Sequence, residues 1–478
     1  MEADQAFRGV VVPTRKLLGL LPMRHFCNRA ATSALAAGFA LVMAAAPVIA
    51  RQLGDASSMR ARFQAAPEVK RLKVVETADG GSQVNAELNG RMFALRIPPN
   101  WNKQAVLFAH GYTPPRTGKA DTVSADPVVD DPAHGLLGTA YAQGYAVGHT
   151  AYDKLGFAVA SGIVRNVALE RLLRKIGAKK VFLTGGSMGG SITALASQLH
   201  PKEFDGAMAM CGPVSDWTYT LQHVADVRNL YNYFSRRTPY ELPGSKDVTT
   251  GINGINPVAF FLNLRKLQND AVSDPKGPAA QIIARTMSAA PSMRNKADFA
   301  TLSSGLILAI ASIDDARQVV GGLPIGNRDV VYQSSLLSDA ENAALNEGVQ
   351  RYEADPAARA KLIRDYSTTG NQRTKLLTVH NAYDPLVAYE HEDRLRSRVE
   401  RAGNLKALAQ QTWPTLTLSF TAPAAKTLVP AAETFKGFYG AAHCGFTKEQ
   451  MSKSFNDLIA WTSDGIKPRE SFRKNLDQ

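Results

Sequence analysis

Ser187, Asp384 and His443 follow one another along a 478-residue chain, each in a setting that suits one part of a nucleophilic relay. A serine hydroxyl is a poor nucleophile at neutral pH. It needs a base to take its proton, and the base needs an acid to orient it. Ser187 stands in TGGSMGG, Thr184 to Gly190, where Gly185, Gly186, Met188 and Gly189 complete a G-x-S-x-G pattern. Five residues of this kind arise easily by chance, so the context matters more than the motif. An apolar run, VFLT, precedes it and a helical run, SITALASQLHP, follows. A sharp strand-to-helix turn of this kind holds its serine in a strained conformation and admits only small neighbours. It leaves the hydroxyl clear, near the positive end of the helix.

Asp384, in YDPLV, lies just past the apolar run KLLTVHNA, and His443, in AAHCGF, follows TFKGFYG. The order serine, acid, histidine fits this architecture. Asp216, just past GAMAMCGP, is the competing acid. His380 inside a strand, His391 on a helix and His110 beside a loop are weaker bases. A developing oxyanion needs two preorganised N–H donors. The backbone of Met188 is one candidate. Tyr112 is the other, after AVLFAHG, where His110-Gly111 lets the chain turn close to the serine; an ordinary turn is the plain alternative.

The elements that must hold these groups are legible as alternating runs. Residues 73–98 read as two strands, KVVETA and QVNAELNGRMFALRIP, joined at Asp79-Gly80-Gly81. AVLFAHG (105–111), GYAVGHTAY, VFLT and GAMAMCGP (206–213) read as further strands. Helical periodicity near 134–143 and over 164–180 separates them. Strands alternating with helices predict a mostly parallel sheet covered on both faces. Residues 214–373 break the rhythm. They are mainly helical with Pro/Gly-rich joints and read as a cap or insertion. The α/β pattern resumes with 375–385, a helix at 388–402, a strand at 434–440 and a closing helix at 448–462.

Residues 31–50 are apolar and uncharged, follow Arg24 and Arg29, and end in the small residues Val48 and Ala50. This is the pattern of a cleavable secretory signal cut after Ala50; a membrane anchor is the alternative. A start at Met23 gives a signal of ordinary length. The expected organisation is therefore a signal at 1–50, a core at 51–213, a helical insertion at 214–373 and a second core segment at 374–478. Without residues 1–50 the chain keeps 50 basic and 40 acidic side chains, a net +10 spread along the sequence without a basic run. No nucleic-acid motif accompanies it, and no nucleic-acid or stable membrane partner is expected. Cys27 leaves with the signal. Cys211 ends the strand beside the one bearing Ser187, and Cys444 adjoins His443. A Cys211–Cys444 disulfide pinning the histidine loop is expected, with two free thiols as the alternative.

HGY, GYAVGHTAY, TGGSMGG, MCGP, HNAYDPLV, HCGFT and AWTSDGIKP together resemble secreted bacterial α/β-hydrolase-fold serine esterases, of the prolyl-oligopeptidase-like hydrolase superfamily. The resemblance covers roughly residues 73–213 and 320–468. It implies an α/β-hydrolase fold with a large helical cap, and Ser187, Asp384 and His443 as nucleophile, acid and base. No propeller repeats precede the catalytic region, which departs from a true oligopeptidase. The expectation is a secreted serine hydrolase that cleaves carboxylic esters, small or polymeric, through an acyl-enzyme and without metal or cofactor. A peptidase of the same fold and a non-catalytic binding protein are the alternatives. Tyr112, Trp217 and Tyr219 are the expected substrate-lining residues. Tyr231, Tyr233, Phe234, Phe260 and Phe261 either line a pocket or pack the insertion's own core.

Overall fold

The computed structural model describes residues 53–115, 118–250, 256–291, 299–419, 428–430 and 439–475. The expected signal segment, 1–50, lies outside them. No described helix is long and apolar enough to cross a membrane.

The first helix is α1 (Ala56–Gln64). Nine strands then form one sheet: β1 (Val69–Glu76), β2 (Ser82–Leu88), β3 (Arg91–Ile97), β4 (Gln104–Ala109), β5 (Ala146–Thr150), β6 (Lys180–Gly186), β7 (Gly206–Met210), β8 (Leu376–Asn381) and β9 (Leu408–Trp413). Their order is β1-β2-β3-β5-β4-β6-β7-β8-β9. The first three form an antiparallel meander, and β5 through β9 are parallel. One expected strand, residues 83–98, is in fact the hairpin β2–β3. It turns at Asn89-Gly90, both with positive φ (51° and 78°), the backbone that a tight two-residue hairpin demands.

Successive side chains of a strand face opposite ways, and here both faces are dry. Ala105, Leu107, Val181 and Leu183 face α3 (Val159–Lys175) and α4 (Met188–Leu199). Val106, Phe108, Phe182, Met208 and Val379 face α2 (Leu136–Ala142) and α12 (Lys448–Asp464). Two-sided burial is why these strands read as continuous apolar runs.

Between β7 and β8 the chain passes through α5 (Trp217–Ser235), α6 (Pro257–Ser273), α7 (Pro278–Ala289), α8 (Phe299–Val320), α9 (Asp339–Gly348) and α10 (Pro356–Tyr366). These helices bury a second apolar cluster, including Leu230, Tyr231, Phe260, Leu264, Ile283, Met287, Leu302 and Leu306. Tyr231 and Phe260 are thus packing residues, and Tyr233 and Phe234 lean on the same cluster. Phe261 is 55% exposed.

After β8 come α11 (Glu390–Arg401) and β9, the last strand of the main sheet. The strand expected at 434–440 is described only in part. Residues 434–438 lie outside the described residues. The remainder belongs to β12 (Tyr439–Ala441), in a separate antiparallel sheet with β10 (Leu416–Ser419) and β11 (Leu428–Pro430).

Candidate functional site

Ser187 sits between β6 and α4 with φ 58° and ψ −125°, a conformation that L-residues rarely adopt. Such strain costs about 1–3 kcal/mol and persists only when the surroundings impose it. Here the flanking glycines allow it. A Cβ on Gly185 would overlap the Gly189 carbonyl, and one on Gly189 would overlap the Ala109 carbonyl of β4. The Ser187 amide donates to Met210 O of β7 at 3.0 Å, locking the turn between two strands.

Asp384 lies beyond β8. Its Oδ1 accepts from the amides of Leu386 and Val387, each at 2.9 Å, and its Oδ2 accepts from the amide of Cys444 at 3.0 Å. Burial by itself raises this carboxyl. The charge of His443 and its hydrogen bond outweigh burial and hold the group down at about 2. An ionised carboxylate can only accept, so His443 Nδ1, 2.8 Å from Asp384 Oδ1, is the protonated nitrogen. Nε2 is left as the acceptor for the Ser187 hydroxyl, 2.9 Å away.

Several local features set the histidine loop. Thr447 and Gln450 form a reciprocal cap at the start of α12, immediately after it. Asn381 Nδ2 donates to Gly445 O at 2.9 Å. Cys211 and Cys444 are joined by a disulfide, with Cα atoms 5.3 Å apart. The bridge links the end of β7 to the residue after His443, across 233 positions of sequence. Replacing both cysteines with alanine is expected to destabilise the fold by about 2–5 kcal/mol. Activity is expected to fall below wild type even where the variant is fully folded. Urea unfolding followed by assay at low denaturant checks this; unchanged stability would show that the bridge constrains nothing.

The loop after β4 passes beside the serine. A Cβ built on Gly111 would stand 3.4 Å from Ser187 Cβ. Met188 opens α4, where the first amides have no partner within the helix. The structure therefore brings the Tyr112 segment and the Met188 amide to the Ser187 turn. The Tyr112 hydroxyl is turned elsewhere and donates to Ala311 O of α8 at 2.9 Å. His110 stacks on Tyr152 with ring centroids 3.8 Å apart, and its Nε2 lies 2.9 Å from Asp121 Oδ2. It braces the loop.

The competing groups are engaged in other bonds. Asp216 caps α5 through the Tyr219 amide at 3.1 Å and pairs with Arg398 at 2.9 Å. His391 is buried between Ser215 and Thr220. His380 is buried with Nδ1 2.8 Å from Asn381 O. Trp217, expected to line the substrate, is corrected to a core ring. It is 4% exposed, packs edge-on to Phe157 and donates through Nε1 to Ser191 Oγ at 3.0 Å. Tyr219 stacks under Arg394 at 4.3 Å and meets His391 edge-on.

His223 of α5 escaped the sequence reading. Burial pushes it down to about 4 despite a bond to the Pro385 backbone and the nearby Asp384 charge. It therefore packs as a neutral ring behind the acid loop. Nothing in a helix over a hundred residues upstream signals that contact.

Among the described residues one group has the spacing of a metal site: donor atoms of Asp384, His443 and Cys444 lie within 4.8 Å of one another. The donor set does not suit an ion. The sulfur is held in the disulfide, and the two His443 nitrogens face Asp384 and Ser187.

Residues 152–272 match the family model described as the alpha/beta hydrolase fold. The mostly parallel sheet, with helices on both faces and the serine turn after β6, is that fold. The chain matches no curated protein sequence. Similar solved structures include feruloyl esterase B from Aspergillus oryzae, at 13% identity and TM-score 0.44 over 87% of this chain and 91% of that one. A second esterase from Aspergillus oryzae gives 14% identity and TM-score 0.41 over 87% and 91%. The rice cell wall degrading esterase LipA from Xanthomonas oryzae gives 15% identity and TM-score 0.37 over 85% and 96%.

Proposed function

We propose that this α/β-hydrolase-fold chain is a secreted serine hydrolase that cleaves carboxylic esters through an acyl-enzyme. The observation that carries the reading is the continuous hydrogen-bonded path from Ser187 Oγ through His443 to the buried Asp384. Ser187 Oγ attacks the ester carbonyl while His443 Nε2 takes its proton. Asp384 holds the tautomer and stabilises the imidazolium. The carbonyl oxygen, now negative, is received by the Met188 and Tyr112 amides; one such donor is worth about 10²–10³ in kcat. Collapse of the tetrahedral intermediate breaks the bond to the alcohol oxygen, which leaves with the proton from His443. Water then attacks the acyl-enzyme with His443 again as base, releasing the acid and restoring Ser187.

The preference for an ester over an amide is supported by the motif resemblance to serine esterases. Export is supported by the apolar, uncharged run at 31–50 and by the disulfide, a bond that persists in oxidising compartments. The mature chain then starts at Arg51. The test has two parts. A fluorophosphonate should label the folded protein once, with the added mass on the Ser187 peptide. p-Nitrophenyl esters from acetate to laurate should be turned over with a chain-length optimum. Label elsewhere removes the nucleophile assignment. Labelled Ser187 without ester turnover removes the substrate class and favours a peptidase.

A further inference from the structure

Helix α8 is one of the helices that contribute to both apolar cores. Its Leu302, Leu306 and Ile310 pack in the cluster of the helical insertion. Its Ala309, Ile313, Ala316 and Val320 pack in the main core, beside Tyr112, Phe157 and Trp217. From the middle of α8, two polar arms reach the loop that passes the serine. In the first, the Tyr112 hydroxyl donates to Ala311 O at 2.9 Å. The second arm runs through Asp315, whose side chain is 7% exposed. Asp315 accepts from the Phe157 amide and, at 2.7 Å, from Lys154 Nζ. Within the segment it holds, the Gly156 amide donates to Thr113 O at 2.8 Å. Gly156 has φ 81°, and a Cβ there would overlap Asp315 Oδ2, so the approach requires glycine.

The two arms end on adjacent residues, Tyr112 and Thr113. Between His110, braced by Asp121 and Tyr152, and these two anchors lies Gly111, where an added Cβ would stand 3.4 Å from Ser187 Cβ. We infer that α8 sets the position of the oxyanion loop, with the Tyr112 hydroxyl and the Asp315 carboxylate as positioning residues that transmit the packing of the helical insertion to the Tyr112 amide. The inference rests on the serine-hydrolase reading above. It gives the insertion a role in transition-state stabilisation, distinct from lining a pocket. An N–H donor acts only if it lies about 2.7–3.1 Å from the place the oxyanion will occupy. A shift of about 1 Å at a site of this kind costs on the order of 10²-fold in rate.

The test uses the full mature chain and three variants: Tyr112→Phe, Asp315→Asn and Ser187→Ala. Tyr112→Phe keeps the backbone donor and the ring and removes only the tether. Its kcat for a p-nitrophenyl ester is expected to fall about tenfold or more, with KM nearly unchanged. Its affinity for an alkyl trifluoromethyl ketone is expected to fall by a similar factor, because that inhibitor adds to Ser187 Oγ and places an oxyanion in the hole. A residue that only supported the fold would lower the melting temperature and leave kcat and inhibitor affinity of the folded enzyme intact. That result overturns the inference. If Tyr112→Phe does not fold, Asp315→Asn carries the same comparison: parallel losses in kcat and ketone affinity support the inference, and retention of both overturns it. Ser187→Ala separates the two levels. If it stays active, the serine reading fails and the inference with it. If it is inactive while the tether variants behave as wild type, only the inference fails.

Discussion

Ser187→Ala is expected to reduce ester turnover about 10⁶-fold in kcat while leaving KM close to wild type. The size follows from what the substitution removes. In the proposed mechanism the hydroxyl forms the acyl bond, and besides it the described side-chain atom near His443 Nε2 is Cys444 Sγ, 3.5 Å away and held in the disulfide. In the proposed mechanism, residual catalysis comes from the oxyanion donors and from binding, which the variant keeps. Stability should change little. The unusual backbone at this position is imposed by the crowded crossing of β4, β6 and α4 around Gly185 and Gly189, and alanine meets the same walls as serine. Steady-state kinetics, with contaminating wild type excluded by fluorophosphonate titration, checks the prediction. Activity within tenfold of wild type would mean that another group attacks.

The serine turn was legible because its chemistry and its geometry demand the same residues. Buried parallel strands must be apolar on both faces, so β4 and β6 announce themselves as AVLFA and VFLT, and the glycines of 185 and 189 mark where strand and helix backbones nearly touch. The strand β9 shows the opposite case. Its sequence, LAQQTW, looks polar, yet Gln410, Gln411 and Thr412 are all buried. Gln410 Nε2 donates to the Glu392 side chain at 2.7 Å, and Gln411 Nε2 donates to Asp457 at 2.7 Å. Thr412 Oγ1 donates to Ser471 O at 2.9 Å. Buried polar groups are tolerated when each finds a partner, and those partners lie on α11, α12 and the C-terminal segment. No local pattern reveals them. The Asn89-Gly90 turn was the reverse failure: the signal was local and present, and the alternation on either side of it hid the break.

The same distinction divides the site. Ser187, Asp384 and His443 each end or follow a recognisable run, so their order along the chain was informative. Two of the groups that brace the loop after β4 stand apart from the motifs. Asp121 and Asp315 look like ordinary loop and helix residues, and each gains its role from a partner 11 to 158 positions away. Trp217 departs from the sequence expectation for a related reason. Following a strand end suggests a pocket wall, but α5 begins there and turns the indole inward, where Ser191 and Phe157 enclose it.

Asp384→Asn is expected to lower kcat about 10⁴-fold, about a hundredfold milder than loss of the serine although no bond to substrate is removed. The carboxylate accepts from four donors: the amides of Leu386, Val387 and Cys444, and His443 Nδ1. An asparagine offers one acceptor oxygen and one donor nitrogen. If the oxygen stays with Leu386 and Val387, the NH₂ faces the Cys444 amide and His443 Nδ1. Two donors then oppose each other at Cys444, and His443 is driven to the tautomer with its proton on Nε2, where it cannot accept from Ser187. A flipped amide satisfies Cys444 and His443 but strands the Leu386 and Val387 amides. Either way about 1–3 kcal/mol of stability is lost, and in both arrangements the imidazolium of His443 loses the negative charge that would stabilise it. The pH dependence carries a sign. The folded carboxyl is held at about 2, below its ordinary value of 3.8, so its stabilising contribution is present above about pH 4 and is lost as pH falls toward 2. That contribution is roughly 2 kcal/mol. Wild type and Asp384→Asn should therefore converge in stability between pH 4 and pH 2, in urea titrations at each pH. Parallel stability curves across that interval would mean that Asp384 is not the ionised partner of His443.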